Sequence, residues 1–213
     1  MKTRLVADPA VECLLKALYL SLAFWPMAAV SQVPDGWEPV LFDGETRYQL
    51  EQGCWQAQAQ DSASGLARRE EIDLHDTPYL HWQWQSPTPP DWSGQDEQSR
   101  AGDDFVARVY VIKEGWLPWQ SRAINYVWSR QYPAGTHWPN PFASQAHMVV
   151  VQGPQGQGQG QWHSFTRDVR EDFRRYHAMD VDRIDAVAIM TDTDNTGATV
   201  SACYRLPAFQ ARP

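Results

Sequence analysis

Alternation of apolar and polar positions, not helical spacing, runs through most of the chain. The plainest case is residues 79–85, Y-L-H-W-Q-W-Q, where Leu80, Trp82 and Trp84 alternate with His81, Gln83 and Gln85. A two-residue period puts one set on each face of a half-buried strand. Shorter runs of the same kind cover 47–50 and 55–60, with Gly53 as a break between them. Further strands are predicted over 105–112, 123–128, 147–151, 184–191 and 200–206. Only 166–178 reads as a helix, with Val169, Phe173 and Tyr176 forming one apolar stripe on a charged cylinder. Its charges include Glu171 and Arg175, spaced as an i,i+4 pair. Many short strands separated by loops rich in Pro and Gly predict a mostly β fold, an antiparallel β-sandwich of jelly-roll type with one short amphipathic helix.

The first 31 residues break this pattern. Lys2 and Arg4 precede an apolar run of 14 residues ending at Val30, and Ala29 and Ser31 fit the small positions of a cleavage site. This predicts a signal peptide over 1–31 and one domain over 32–213, working in the periplasm or the medium. The run is short for a spanning helix, so no membrane association is expected after cleavage. The competing reading, a buried helix of the fold, draws on Asp8 and Glu12. Cleavage removes Cys13 and leaves Cys54 and Cys203, which in an oxidising compartment either form a disulfide or stay as two buried thiols.

Charge narrows the range of partners. The mature part keeps 15 basic against 24 acidic side chains, and Lys113 is its single lysine. No basic footprint exists for a phosphate backbone, so nucleic-acid binding is not expected. Phosphate-loop, nucleophile-elbow and zinc-protease motifs are absent, and the six His show no metal-ligand spacing.

Three features carry candidate chemistry. If the strands near 82, 108, 126 and 149 are neighbours, one face carries Trp82, Trp84, Phe105, Ala107, Val109, Ile124, Tyr126 and Trp128 as core. The other face then gathers His81, Gln83, Asp104, Arg108, Tyr110, Asn125 and His147. Such a face is either solvated or able to bind a glycan or polyol, with donors for hydroxyls and aromatics for sugar rings. Asp104 and Arg108 share that face but stand about 13 Å apart along a strand. The second feature, Thr191-Asp192-Thr193-Asp194-Asn195-Thr196-Gly197, suits a turn, or a hard cation such as Ca²⁺ held by Asp192, Asp194 and Asn195. Asp104 with Asp192 or Asp194 is also the one carboxylate pair to test for polysaccharide hydrolysis. Third, Trp92, Trp116, Trp119, Tyr132 and Trp138 exceed what a core requires, and either bind or fold back as lids. In a simple meander, the loops 86–102 and 130–146 leave one end of the sheet and Trp116 and Trp119 the other. A binding module, an envelope polysaccharide enzyme and a structural envelope component with aromatic contacts are the three functional classes these features permit. The ligand candidates are Asp104, Arg108, Tyr110, Asn125, Gln83 and Trp138.

Taken together, several motifs resemble one known family. They are Ser62-Ala63-Ser64-Gly65-Leu66, His81-Trp82-Gln83-Trp84, the run from Ala101 to Val111, Asn125-Tyr126-Val127-Trp128, Trp138-Pro139-Asn140-Pro141 and Met190 to Gly197. The chain is similar over nearly all of its mature part to the bacterial exported family known as domain of unknown function 3047. The resemblance implies a β-sandwich like that of carbohydrate-binding modules, with no established activity. Tyr204-Arg205-Leu206-Pro207 stands where that family closes on an aromatic-Gly-Asp-Ile step.

Overall fold

In the computed structural model, residues 31–87, 95–154 and 160–213 are described. Residues 1–30 of the expected signal peptide, Trp92 and the centre of the Gly/Gln-rich segment 153–161 lie outside them. Among the described residues, twelve strands form two sheets of a β-sandwich, with one α-helix. Sheet A runs β1 (Glu38–Asp43), β4 (Ala63–Asp73), β11 (Arg183–Asp192), β6 (Arg108–Lys113), β7 (Arg122–Trp128), β9 (Ala146–Gln152) and β8 (His137–Pro139). Sheet B runs β10 (His163–Asp168), β5 (Tyr79–Gln85), β12 (Thr199–Gln210), β3 (Cys54–Gln60) and β2 (Arg47–Glu51).

The inward positions of the two sheets meet in an aromatic core. From sheet B, Trp82 stacks on Tyr126 with centroids 5.2 Å apart, and Trp84 lies over Trp128 at 6.4 Å. Phe165 of β10 packs against both Trp82 and Trp84. Burying such large rings stabilises the sandwich by about 1.5–3 kcal/mol for each side chain of this class. Two of the polar ends are satisfied as the core closes, Trp84 Nε1 donating to Gln152 Oε1 at 2.6 Å and Tyr126 Oη to Asp172 Oδ2 at 2.7 Å, whereas Trp82 Nε1 and Trp128 Nε1 are buried without a hydrogen-bond partner. Cys54 and Cys203 are joined in a disulfide across β3 and β12, with Cα atoms 5.7 Å apart.

Four sequence expectations change. The helix α1 is Val169–His177, shorter than predicted, because 163–168 pair with β5 as a strand and Asp168 caps the helix by accepting from Glu171 N at 2.9 Å. Glu171 meets Arg174, not Arg175, which lies over the Tyr176 ring instead. Strand β6 begins only at Arg108, so Asp104 and Phe105 precede it, and Phe105 leaves the main core for a second cluster with Val127, Trp138, Met148 and Val150. Finally, β5 belongs to sheet B, which separates His81 and Gln83 from the outer face of sheet A.

The loop arrangement differs from a meander for one reason: β7 and β9 are parallel. The start of β9 therefore lies beside the start of β7. Residues 140–145 return to the end where Trp119 sits, while 130–136 stay at the other end.

Candidate functional site

The outer face of sheet A is built in rows set by register. One row crosses all seven strands through Glu38, Ala67, Ala188, Tyr110, Asn125, Met148 and Trp138. The next contains Arg69, Ala186, Ile112, Ala123 and Ala146. Toward β8 the face is covered by the second cluster, on which Tyr132 also packs. Toward β4 and β11 the outward positions are small, and the face sinks into a groove. Gly65 shows how tight this floor is: a Cβ there would come within 2.7 Å of Ile189 O.

Two adjoining cavities make up the groove, of about 640 Å³ and about 390 Å³, sharing Phe42, Tyr110, Ala143, Ala146 and Met190. Each is of the size that small-molecule and oligomer sites take. Alanines and Ile112 form the floor of the larger, while Phe42, Trp119, Arg69, Glu114 and Arg122 stand around it. Phe42 is 69% exposed, Trp119 62% and Phe142, beside the smaller cavity, 52%. Large apolar rings left to water around a concave face are the unusual feature here.

The smaller cavity ends on a charged network. Arg108, only 3% exposed, grips Asp192 side-on: Nε donates to Oδ1 at 2.8 Å and Nη2 to Oδ2. Nη2 also donates to the Asp103 carbonyl, Nη1 to Tyr110 Oη at 3.3 Å, and the guanidinium lies 4.5 Å from the Phe105 ring centroid. Burial alone would lower the Arg108 pKa, but Asp192, Tyr110 and Asp103 outweigh it and hold it well above its usual value. Tyr110 is pushed up to about 12, mainly by burial, so its hydroxyl stays protonated. Burial also raises the Asp103 carboxyl, against the pull of Arg108 and of Asn140, which donates to Asp103 Oδ2 at 2.9 Å.

Asp104 is fully buried and serves the loop after β11. Its Oδ1 accepts from the backbone N and Nδ2 of Asn195, and its Oδ2 accepts from the backbone N of Thr196 at 2.7 Å and its Oγ1 at 2.6 Å. Asp104, Asp192 and Asp194 each bring an oxygen within 4.8 Å of the others. Asp104 thus stands where the sequence suggested Asn195 as the third member, and the Asn195 amide is a donor to it. Burial, then Asp104, push the Asp194 carboxyl up. Neither Asp104, with four donors, nor Asp192, held by Arg108 and by Phe105 N at 3.1 Å, has an oxygen disengaged for acid–base work.

The residues singled out in sequence therefore divide. Arg108, Asp104, Asp192, Asp194 and Asn195 form one network, and Tyr110 joins it to the groove. Asn125 is buried beneath the second cluster, its Nδ2 donating to Met148 Sδ at 3.3 Å. Trp138 is buried against Phe105 and Tyr132 and faces neither cavity. Gln83 is on the outer face of sheet B, donating to Ser164 Oγ at 2.7 Å and accepting from Arg205. Phe42, Asn140, Met190 and the alanine floor were not recognised. Their signal was present in the small outward positions of Gly65-Leu66-Ala67 and Ala186-Val187-Ala188, opposite apolar inward ones.

No curated protein matches this chain in sequence. Among solved structures it is similar to the xyloglucanase domain of NopAA, a type three effector from Sinorhizobium fredii, with TM-score 0.49 and 9% identity over 85% of this chain and 96% of that one. It is also similar to the family 11 carbohydrate-binding module from Clostridium thermocellum, with TM-score 0.42 and 10% identity over 86% and 98%. A loop-swap mutant of Xyn11A from Necallimastix patriciarum gives 0.42 and 11% over 85% and 94%. At such identities the likeness concerns the sandwich architecture alone. The family described as "Protein of unknown function (DUF3047)" matches residues 35–206, and the chain belongs to that family.

Proposed function

We propose that this is an exported, non-catalytic protein that binds a glycan along the groove of sheet A. The observation that carries the reading is the groove itself: a floor of small side chains with Phe42, Trp119 and Phe142 exposed at its edges. Sugar rings present apolar C–H faces to aromatic rings and hydroxyls to polar groups at the rim. Arg69, Glu114, Arg122 and Gln145 supply such groups in the larger cavity, and Asn140 in the smaller. Because the Arg108–Asp192 and Asp104 networks are internally satisfied, they support a scaffold for binding in preference to hydrolysis. The Cys54–Cys203 disulfide supports an oxidising compartment.

The test is binding to a panel of neutral and acidic polysaccharides by affinity electrophoresis and calorimetry. Phe42→Ala and Trp119→Ala should each weaken retention at least several-fold without loss of folding, whereas Gln83→Ala on the opposite sheet should leave it unchanged. Equal retention of all three variants would reject the groove as the binding face.

A further inference from the structure

The six His have no metal-ligand spacing in sequence, yet the β8–β9 pairing brings two of them together. Register places Pro139 opposite His147 and His137 opposite Val149, so the two imidazoles are diagonal neighbours. Nδ1 of His137 and Nε2 of His147 share a hydrogen bond of 3.0 Å, one ring donating and the other accepting. Tyr176 of α1 packs against both rings, with centroids 5.0 and 5.1 Å away, and His177 meets His147 edge-on at 5.8 Å. His177 itself is engaged through Nε2 with Ala123 O at 2.9 Å. His137 is exposed, so the pair opens to solvent.

We propose that His137 and His147 form a two-imidazole site for a divalent transition metal of the copper and nickel class. Metal–nitrogen bonds of about 2.0–2.1 Å at a right angle place two ligand atoms about 2.9 Å apart. The two nitrogens already stand at about that separation because the rings share a hydrogen bond, and with centroids 5.2 Å apart the rings must tip toward the ion as it displaces that bond. Copper outranks zinc in the affinity order for nitrogen ligands. Imidazole pairs without oxygen ligands do not suit calcium or magnesium. Tyr176 holds the rings before the ion arrives, which limits the ordering cost of binding. Water completes the coordination on the exposed side.

Calorimetry with Cu²⁺, Zn²⁺ or Mg²⁺, on protein carrying no affinity tag, tests the site. One equivalent of Cu²⁺ should bind, more tightly than Zn²⁺, with no Mg²⁺ response. Electron paramagnetic resonance of the Cu²⁺ form should show coupling to imidazole nitrogen. His137→Gln should abolish the isotherm with an unchanged melting temperature in the metal-free state, since His137 is exposed, and His163→Gln should bind as the parent does. Absence of Cu²⁺ binding, binding undiminished in His137→Gln, or a spectrum without nitrogen coupling would each overturn the proposal.

Discussion

Arg108 and Asp192 lie 84 positions apart in the sequence, yet the guanidinium of one clasps the carboxylate of the other within the outer face of sheet A. Both are almost fully buried. A buried ion is costly unless paired, so this contact fixes where β6 and β11 meet as well as what surrounds them. Arg108→Ala should destabilise the fold by about 3–5 kcal/mol, the loss typical of a broken buried pair. Arg108→Lys should also lower the urea midpoint, because an ammonium lacks the planar fork that reaches Asp192, Asp103 and Tyr110 together. In a double-mutant cycle Arg108→Ala and Asp192→Ala should be strongly non-additive. Additive losses would mean that the two side chains act separately.

A second stability prediction concerns Tyr204 of β12, whose hydroxyl reaches across to sheet A. Its hydroxyl donates to Met190 O at 2.6 Å and accepts from Arg108 N at 3.3 Å, so this β12 residue ties sheet B to two strands of sheet A. Tyr204→Phe removes the oxygen and leaves a buried N–H and carbonyl short of a partner. The expected cost is about 1–3 kcal/mol, read from the denaturant midpoint at unchanged m-value. A neutral substitution would mean that water enters to satisfy both groups.

The strand pattern was legible wherever one face of a strand is buried and the other is not, as in Tyr79–Gln85, whose alternation matches β5 residue for residue. It failed for β4, where inward Leu66 is flanked by Gly65 and Ala67 and the strand continues into Arg68, Arg69, Glu70 and Glu71. Those residues carry no strand signature, and β4 is held by long pairing with β11 instead. Alternation also cannot say which sheet a strand joins. Gln83 and Arg108 have similar local patterns, but β5 pairs with β10 and β12, and β6 with β11 and β7. Within the site, the acidic loop and Arg108 were visible as chemistry. Their pairing was not, because it depends on the non-local meeting of β6 and β11. The groove was hidden for a related reason: small outward residues read as weak strand, and only the assembled sheet turns them into a depression.

The disulfide gives a prediction independent of the site. Cys54 and Cys203 close a loop with a sequence separation of 149, so the bond restricts the unfolded chain strongly. The loop-entropy account gives about 4–5 kcal/mol for a closure of this length. Cys54→Ser with Cys203→Ser should therefore melt well below the parent, and reductant should lower the parent toward the same temperature. Intact-mass analysis of protein from an oxidising compartment should show both thiols blocked. Two free thiols in that protein, or a double variant as stable as the parent, would remove the disulfide from the account.

The last prediction turns on Asp194, which stands close to Asp104 and Asp192, with Arg108 and Arg130 as cations that act on that pair. Burial and then the Asp104 charge raise the Asp194 carboxyl above its usual value. The unfolded chain therefore releases this proton at lower pH than the folded one. By linkage, the contribution of Asp194 to stability is fully present below the ordinary aspartate pKa and is lost as pH rises through the raised one. Asp194→Asn keeps a group able to donate to Asp104 and removes the like charge, so it should raise the melting temperature at neutral pH and leave it little changed in acid. A metal offers a different way to relieve the same crowding. Asp104 already accepts four hydrogen bonds and Asp192 is held by Arg108, which leaves few of the six to eight oxygens calcium takes. The parent should accordingly show no shift in melting temperature at millimolar Ca²⁺. A rise in the parent that disappears in Asp194→Asn would assign these oxygens to a cation instead of a proton, since a ligand bound only to the folded state stabilises it.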